Sequence, residues 1–273
     1  MIKCYKWPVG ICSWSLADSL DNLARIREKL NVEHIQLNTC PALDGQCSDY
    51  PAAVKRQGWT ITSTMVAFPQ EDYSTLKSIK ATGGVVPDEY WQDNRKRVFD
   101  AIDLTAELGV KYLLFHFGFL DLKNADQAGK LCDRAKILAD RAAEKNVQLL
   151  METGQENAAE LRQFLERLNH SAIGVNFDPA NMILYDKDNP IKAVQTLSPW
   201  IKHIHIKDAI RTKVKGTWGL EVPWGDGQVG GDNFLAALKN TGFNGPLAIE
   251  REVGDNRFED IKLAAERLSR YSG

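Results

Sequence analysis

QLLMETG (residues 148–154), AIGVNFDPAN (172–181), KHIHIKD (202–208) and GPLAIERE (245–252) share one plan. Each is a short apolar run of β character closed by a side chain able to ligate a metal: Glu152, Asp178, His205 and Glu250. One such ending is an accident; four at successive runs imply a single site. In a closed barrel of parallel strands the strand C-termini converge on one mouth, where such barrels carry their active sites. The four runs therefore predict a fold and a place within it.

Outward from them the chain keeps the same rhythm. Strands are expected at Val9–Trp14, His34–Asn38, Trp59–Met65, Tyr112–Phe117, Gln148–Glu152, Ile173–Phe177, His203–Ile206 and Leu247–Glu250. Helical stripes lie between them, such as Leu20, Leu23, Ile26 and Leu30, or Leu161, Phe164, Leu165 and Leu168. The 273 residues are close to the ~250 of a (β/α)8 barrel, and no composition break divides them. The expected architecture is one (β/α)8 barrel domain over residues 1–273.

Alternation along each strand sharpens the site, because residues two apart share a face. His203, His205 and Lys207 oppose Ile204 and Ile206, while Gly174, Asn176 and Asp178 oppose Ile173, Val175 and Phe177. Ala248 and Glu250 oppose Leu247 and Ile249. The same parity turns Cys12, Trp14, Gln36, Asn38, Leu114 and His116 inward. A wall this polar makes a poor core and a good pocket.

Two Glu, one Asp and one His form a hard, oxygen-rich set suited to one divalent ion, Mn²⁺, Mg²⁺ or Co²⁺, with Zn²⁺ also accommodated. Such an ion polarises a carbonyl and its neighbouring hydroxyl and stabilises an enediolate. Glu152 and Glu250 can then serve as ligands and as the acid/base pair. His116 and Lys207 are expected to contact substrate, and Trp14 to wall a sugar face. His203 is expected one layer deeper as a structural histidine, with His34 and His170 near the opposite end. Two long stretches, Pro69–Trp91 and Arg211–Gly231, follow strand ends and should overhang the mouth. The second contains PWGDGQVG, which matches neither GxGxxG nor a P-loop and is not read as a nucleotide site.

Composition is that of an ordinary globular chain: 44% hydrophobic, 26% charged, net charge −2. That balance gives no bulk attraction to nucleic acid or to an anionic membrane. Five cysteines without a CxxC pair are expected to be free thiols in a reducing cytoplasm. The first residues lack the apolar core of a signal peptide, and no run approaches the ~20 apolar residues of a membrane span.

With METGQE, NFDPANM, HIHIKDA, PWGDGQV and PLAIERE in that order, the chain resembles the xylose isomerase-like TIM barrel superfamily, and more narrowly its sugar phosphate isomerase/epimerase group. The resemblance implies a metal site at Glu152, Asp178, His205 and Glu250 with the two glutamates as acid and base. It also implies a small sugar or polyol substrate and a homodimer or homotetramer. The expected activity is isomerisation or epimerisation of a sugar, sugar phosphate or polyol. Dehydration of an inosose-type keto-polyol on the same site, and a non-catalytic sugar-binding barrel, are the alternatives. The sequence departs from ketose 3-epimerases at two places: Asn181 stands where those carry His, and HIKD replaces HxGE. Five histidines are too few for the three-metal cluster of the related endonucleases.

Overall fold

A computed structural model describes residues 2–271. Eight parallel strands close into a barrel: β1 (Trp7–Cys12), β2 (His34–Asn38), β3 (Thr60–Met65), β4 (Tyr112–Phe115), β5 (Gln148–Glu152), β6 (Ile173–Phe177), β7 (Ile201–Ile206) and β8 (Leu247–Ile249). Closure runs through β8, whose Leu247 and Ile249 pair with Val9 and Ile11 of β1. A helix follows each strand: α1 (Leu20–Leu30), α2 (Tyr50–Arg56), α3 (Trp91–Glu107), α4 (Ala125–Glu144), α5 (Ala158–Leu168), α6 (Pro190–Leu197), α7 (Gly231–Asn240) and α8 (Arg257–Ser269). No helix among the described residues is long and apolar enough to cross a membrane.

The alternation in the strands explains the layers. Ile35, Leu37, Val175, Phe177, Ile204 and Ile206 face outward and join the helical stripe residues Leu131, Leu138, Leu161 and Phe164 in one buried core. Gln36, Asn176, His203 and His205 are also buried, inside the barrel. Helix starts are fixed locally: the Asn157 side chain accepts from Glu160 N at 2.9 Å, and the Glu160 carboxylate accepts from Asn157 N at 3.3 Å.

Strand ends differ from the sequence expectation where they matter most. β1 stops at Cys12, and Ser13–Leu16 form a 3-10 turn that carries Trp14. β4 stops at Phe115 and β8 at Ile249, so His116 and Glu250 begin loops. Parallel pairing ends once a neighbour stops supplying carbonyls, yet Glu250 N still donates to Ile206 O at 3.1 Å. The side chain therefore keeps its inward phase.

Both long excursions are pinned beside the mouth. In the first, which contains a short helix at Leu76–Thr82, Gly84 has φ +64°, and a Cβ there would lie 2.3 Å from Phe117 C. In the second, Asp208–Ile210 and Leu220–Val222 pair as an antiparallel arm. The buried Asp208 carboxylate accepts four amides, from Ala209 (2.8 Å), Gly225 (2.9 Å), Gly227 (3.2 Å) and Val229 (3.0 Å). A Cβ on Gly227 would meet Asp208 Oδ1 at 2.2 Å. The glycine-rich PWGDGQVG turn thus wraps an anion of the protein itself. Asp208→Ala leaves those amides without their acceptor and should lower stability by about 3 kcal/mol, read by urea unfolding.

All five cysteines are free, in keeping with the sequence reading. Trp224 is buried against Phe234, and Trp218 packs edge-on against Tyr185 at 4.7 Å.

Candidate metal centre and active site

Four strand ends deliver four side chains to one point. Ligating atoms of Glu152, Asp178, His205 and Glu250 all lie within 4.8 Å of one another, and all four residues are buried. His205 Nδ1 is 2.9 Å from Glu152 Oε1, 3.1 Å from Glu250 Oε2 and 3.5 Å from Asp178 Oδ2.

Each of these side chains is held by one atom and presents the other. Asp178 caps the short helix Pro179–Leu184, its Oδ1 accepting from Ala180 N (2.7 Å) and Asn181 N (3.0 Å). Glu250 Oε1 accepts from Trp14 Nε1 at 2.8 Å. Glu152 Oε2 lies 2.7 Å from His116 Nε2. His205 Nε2 lies 2.7 Å from Gln36 Oε1, which leaves Nδ1 to face the carboxylates. Asp178 Oδ2, Glu250 Oε2 and His205 Nδ1 make no directed hydrogen bond although they are buried. Buried orphans are rare in folded proteins, and three pointing at one place fit a cation. The donor set of three carboxylates and one imidazole suits a divalent ion.

The electrostatics agree. Burial opposes a charged His205, but Glu250 and its neighbours outweigh it and push the imidazole well above its ordinary range. Burial likewise opposes charge on Lys207, yet Glu250, Glu252, Asp178 and Glu221 hold its ammonium well above the usual range. Its Nζ lies 2.5 Å from Glu252 Oε2, 3.0 Å from Glu250 Oε2 and 3.7 Å from Asp178 Oδ2. A divalent ion together with Lys207 would balance the three ligand carboxylates. The alternative grouping of Cys12, His205 and Glu250 is also close. Burial pushes the Cys12 thiol up to about 12, and it donates to Gln36 Oε1 at 3.5 Å.

Gln36 had no role assigned from sequence beyond facing inward, although parity was the signal that could have found it. Gln36→Leu removes the group that orients His205 and should weaken divalent-metal affinity by about 10- to 100-fold, measured calorimetrically.

His116 and Trp14 both reach the site from loops, and Lys207 from just beyond β7. His116 Nδ1 contacts Gln155 Nε2 at 2.5 Å. Burial disfavours the imidazolium, but Glu152 more than offsets this and raises His116 to about 9 from an ordinary 6.5. A folded-state value above the unfolded one stabilises fully below pH 6.5 and loses that contribution as pH rises through 9. The melting temperature of the metal-free protein should fall across that window, and His116→Gln should flatten the fall.

The remaining histidines lie elsewhere. His203 is buried one layer below, 3.2 Å from Thr62 Oγ1, and burial with the neighbouring His205 holds it well below its ordinary range. His170 contacts Asp140 at 3.1 Å, and His34 sits at the start of β2. Asn181, at one of the two departures, donates to Thr153 O at 3.1 Å.

Above the ligands opens a cavity of about 550 Å³ lined by Trp14, His116, Tyr185 and Lys207 among others. Three acidic residues not singled out from sequence also face it: Glu71, Glu221 and Glu252. Glu71 and Glu252 sit on irregular segments and Glu221 on the three-residue strand Leu220–Val222, too short for periodicity to mark direction.

The chain matches the Xylose isomerase-like TIM barrel family over residues 29–271 and belongs to it. Inosose dehydratase 1 of Bacillus cereus (strain ZK / E33L) is 27% identical over 169 residues, covering 54% of this chain and 56% of that protein. The chain thus spans about half the length of the curated relatives it matches. A xylose isomerase domain protein from Planctomyces limnophilus is 29% identical over 98% of both chains, with a TM-score of 0.87. A xylose isomerase-like TIM barrel protein from Mycobacterium smegmatis, solved in complex with magnesium, shares the fold at 17% identity and full coverage of both chains, with a TM-score of 0.75.

Proposed function

We propose that this barrel is a divalent-metal-dependent enzyme that moves a proton next to the carbonyl of a sugar or polyol. One observation carries the reading: four differently anchored side chains bring ligating atoms within 4.8 Å of one another at one buried point beneath a cavity. Glu152, Asp178, His205 and Glu250 would hold the ion. When bound, it supplies Lewis acidity toward a carbonyl and its neighbouring hydroxyl.

The residues of the chain divide the proton work. Glu250 Oε1 is held by the indole of Trp14, a donor that does not ionise. Glu152 Oε2 is held by His116, a donor that does. Glu250 is accordingly the base that takes the proton α to the carbonyl, giving an enediolate. The Glu152–His116 pair is the acid that returns a proton. Delivery to the opposite face of the same carbon epimerises, and delivery to the adjacent carbon isomerises. Lys207 and the cavity walls orient the hydroxyls and exclude water.

Dehydration is the second reading, favoured by two observations. His116 is an ionisable donor on the cavity wall beside Glu152, able to give a departing hydroxyl its proton, and the curated relatives include inosose dehydratases. Incubation of Mn²⁺- or Mg²⁺-loaded protein with ketoses, ketose phosphates and inososes in D₂O tests both. Deuterium at a carbon beside the carbonyl, without loss of water, marks the isomerase or epimerase. Loss of water to a hydroxy-enone or its 1,2-diketone tautomer marks the dehydratase. No exchange and no elimination with any of them contradicts the proposal.

A further inference from the structure

Among the described residues six large hydrophobic side chains are exposed, and three of them ring the mouth of this cavity: Tyr73 (44% exposed), Leu220 (58%) and Val253 (52%). They come from three different loops, after β3, β7 and β8. Each is fixed rather than stray. Tyr73 packs edge-on against His116 at 5.7 Å. Leu220 follows Gly219, whose N–H donates to Leu184 O at 3.0 Å and whose Cβ would lie 3.1 Å from Leu184 Cα. The amides of Glu252 and Val253 donate to Glu221 Oε1 at 2.9 and 3.4 Å. Trp218, on the same arm, adds an aromatic face braced by Tyr185. Apolar surface held this deliberately against water calls for an apolar ligand face.

Charge narrows the ligand further. No arginine lines the cavity, and its two cationic groups are already flanked by carboxylates: His116 by Glu152, Lys207 by Glu250 and Glu252. Glu71 and Glu221 add acidity to the same walls. A phosphate or carboxylate substrate would meet repulsion there. Volume points the same way. A single polyol ring of about twelve heavy atoms fills ~360 Å³ at most, counting each as a water-sized share of ~30 Å³. The cavity holds about 550 Å³.

We infer that the outer part of the cavity is a subsite for a flat, uncharged ring carried by the polyol. The substrate is then a glycoside whose sugar ring carries the carbonyl as a ketone, with an aromatic aglycone or a second pyranose against Trp218, Leu220 and Val253, rather than a free sugar or a sugar phosphate. This rests on the proposed reaction only for placing the polyol head at the ligand cluster.

The test is a calorimetric or ligand-observed NMR titration of the Mg²⁺-loaded protein with four probes. These are phenyl β-D-glucopyranoside, cellobiose, methyl β-D-glucopyranoside and glucose 6-phosphate. The phenyl glucoside, cellobiose or both should bind about tenfold tighter than the methyl glucoside, the scale of one aromatic contact. Preference for the phenyl compound alone assigns an aromatic aglycone, and for cellobiose alone a second sugar. Leu220→Ser and Val253→Ser, both at exposed positions, should bring the preference within twofold and leave methyl glucoside binding unchanged. Three results overturn the subsite: no saturable binding of either ring-bearing probe, equal affinity for the methyl and both ring-bearing glycosides, or tightest binding of glucose 6-phosphate. A change of oligomeric state in Leu220→Ser without a change in glycoside affinity also overturns it, assigning the rim to a second copy of the chain. A ring preference without deuterium exchange on any carbonyl substrate keeps the subsite and removes the reaction; exchange without a ring preference does the reverse.

Discussion

Glu250→Gln and Glu152→Gln should each lower deuterium wash-in by about 10²- to 10⁴-fold, the usual worth of a positioned acid or base. An amide keeps a carbonyl oxygen for ligation and nearly the same volume, so the folded barrel and a weakened metal site should both survive. What it loses is proton affinity. The two variants should also differ from each other. Glu250 is flanked by the indole of Trp14, which takes no proton, by the Lys207 ammonium, which is held charged, and by the ligand His205, so its amide leaves no substitute base. Glu152 is paired with His116, an ionisable donor that stays in place; without the carboxylate that raises its pKa the imidazole loses its proton more easily, so what it still delivers should grow as pH falls. Glu152→Gln should therefore keep more residual turnover than Glu250→Gln, and that residue should disappear in the Glu152→Gln, His116→Gln double variant. Equal exchange in wild type and Glu250→Gln would remove Glu250 from the base role.

Lys207→Met should produce the largest loss of stability. The ammonium is buried and lies within 4 Å of carboxylate oxygens from Asp178, Glu221, Glu250 and Glu252. Removing one partner from a buried ionic cluster typically costs about 3–5 kcal/mol, because the remaining charges stay desolvated. For a chain of this size that corresponds to a fall in melting temperature of roughly 10 °C or more. The loss should be greatest in metal-free protein and should shrink on adding Mn²⁺ or Mg²⁺, since a divalent ion would compensate Asp178 and Glu250. A melting temperature unchanged by Lys207→Met would mean that the carboxylates protonate instead of depending on the lysine.

The barrel was legible because strand alternation and strand order are local properties. His203, His205 and Lys207 had to share a face, and neighbouring parallel strands had to bring their C-terminal ends together. What alternation does not encode is where pairing stops. Trp14 and His116 were expected on strands and lie just past them, on a 3-10 turn and a loop, and still reach the ligands. Gln36 was visible as an inward residue, but its partner His205 lies 169 positions away, a contact no local pattern announces. Glu71, Glu221 and Glu252 were silent for a different reason. Close backbone approaches at Gly84 and Gly219 set the segments that carry Glu71 and Glu221, and Glu252 is placed by its amide's bond to Glu221 Oε1. The glycines of PWGDGQVG were apparent in the sequence; the anion they surround became apparent only in the fold.

The most direct measurement is an anomalous diffraction map from crystals of stripped protein soaked with Mn²⁺. One dominant peak bounded by Glu152, Asp178, His205 and Glu250 is expected, lost in Asp178→Ala. A dominant peak elsewhere, or none at saturating Mn²⁺ with these four side chains ordered, would contradict that expectation.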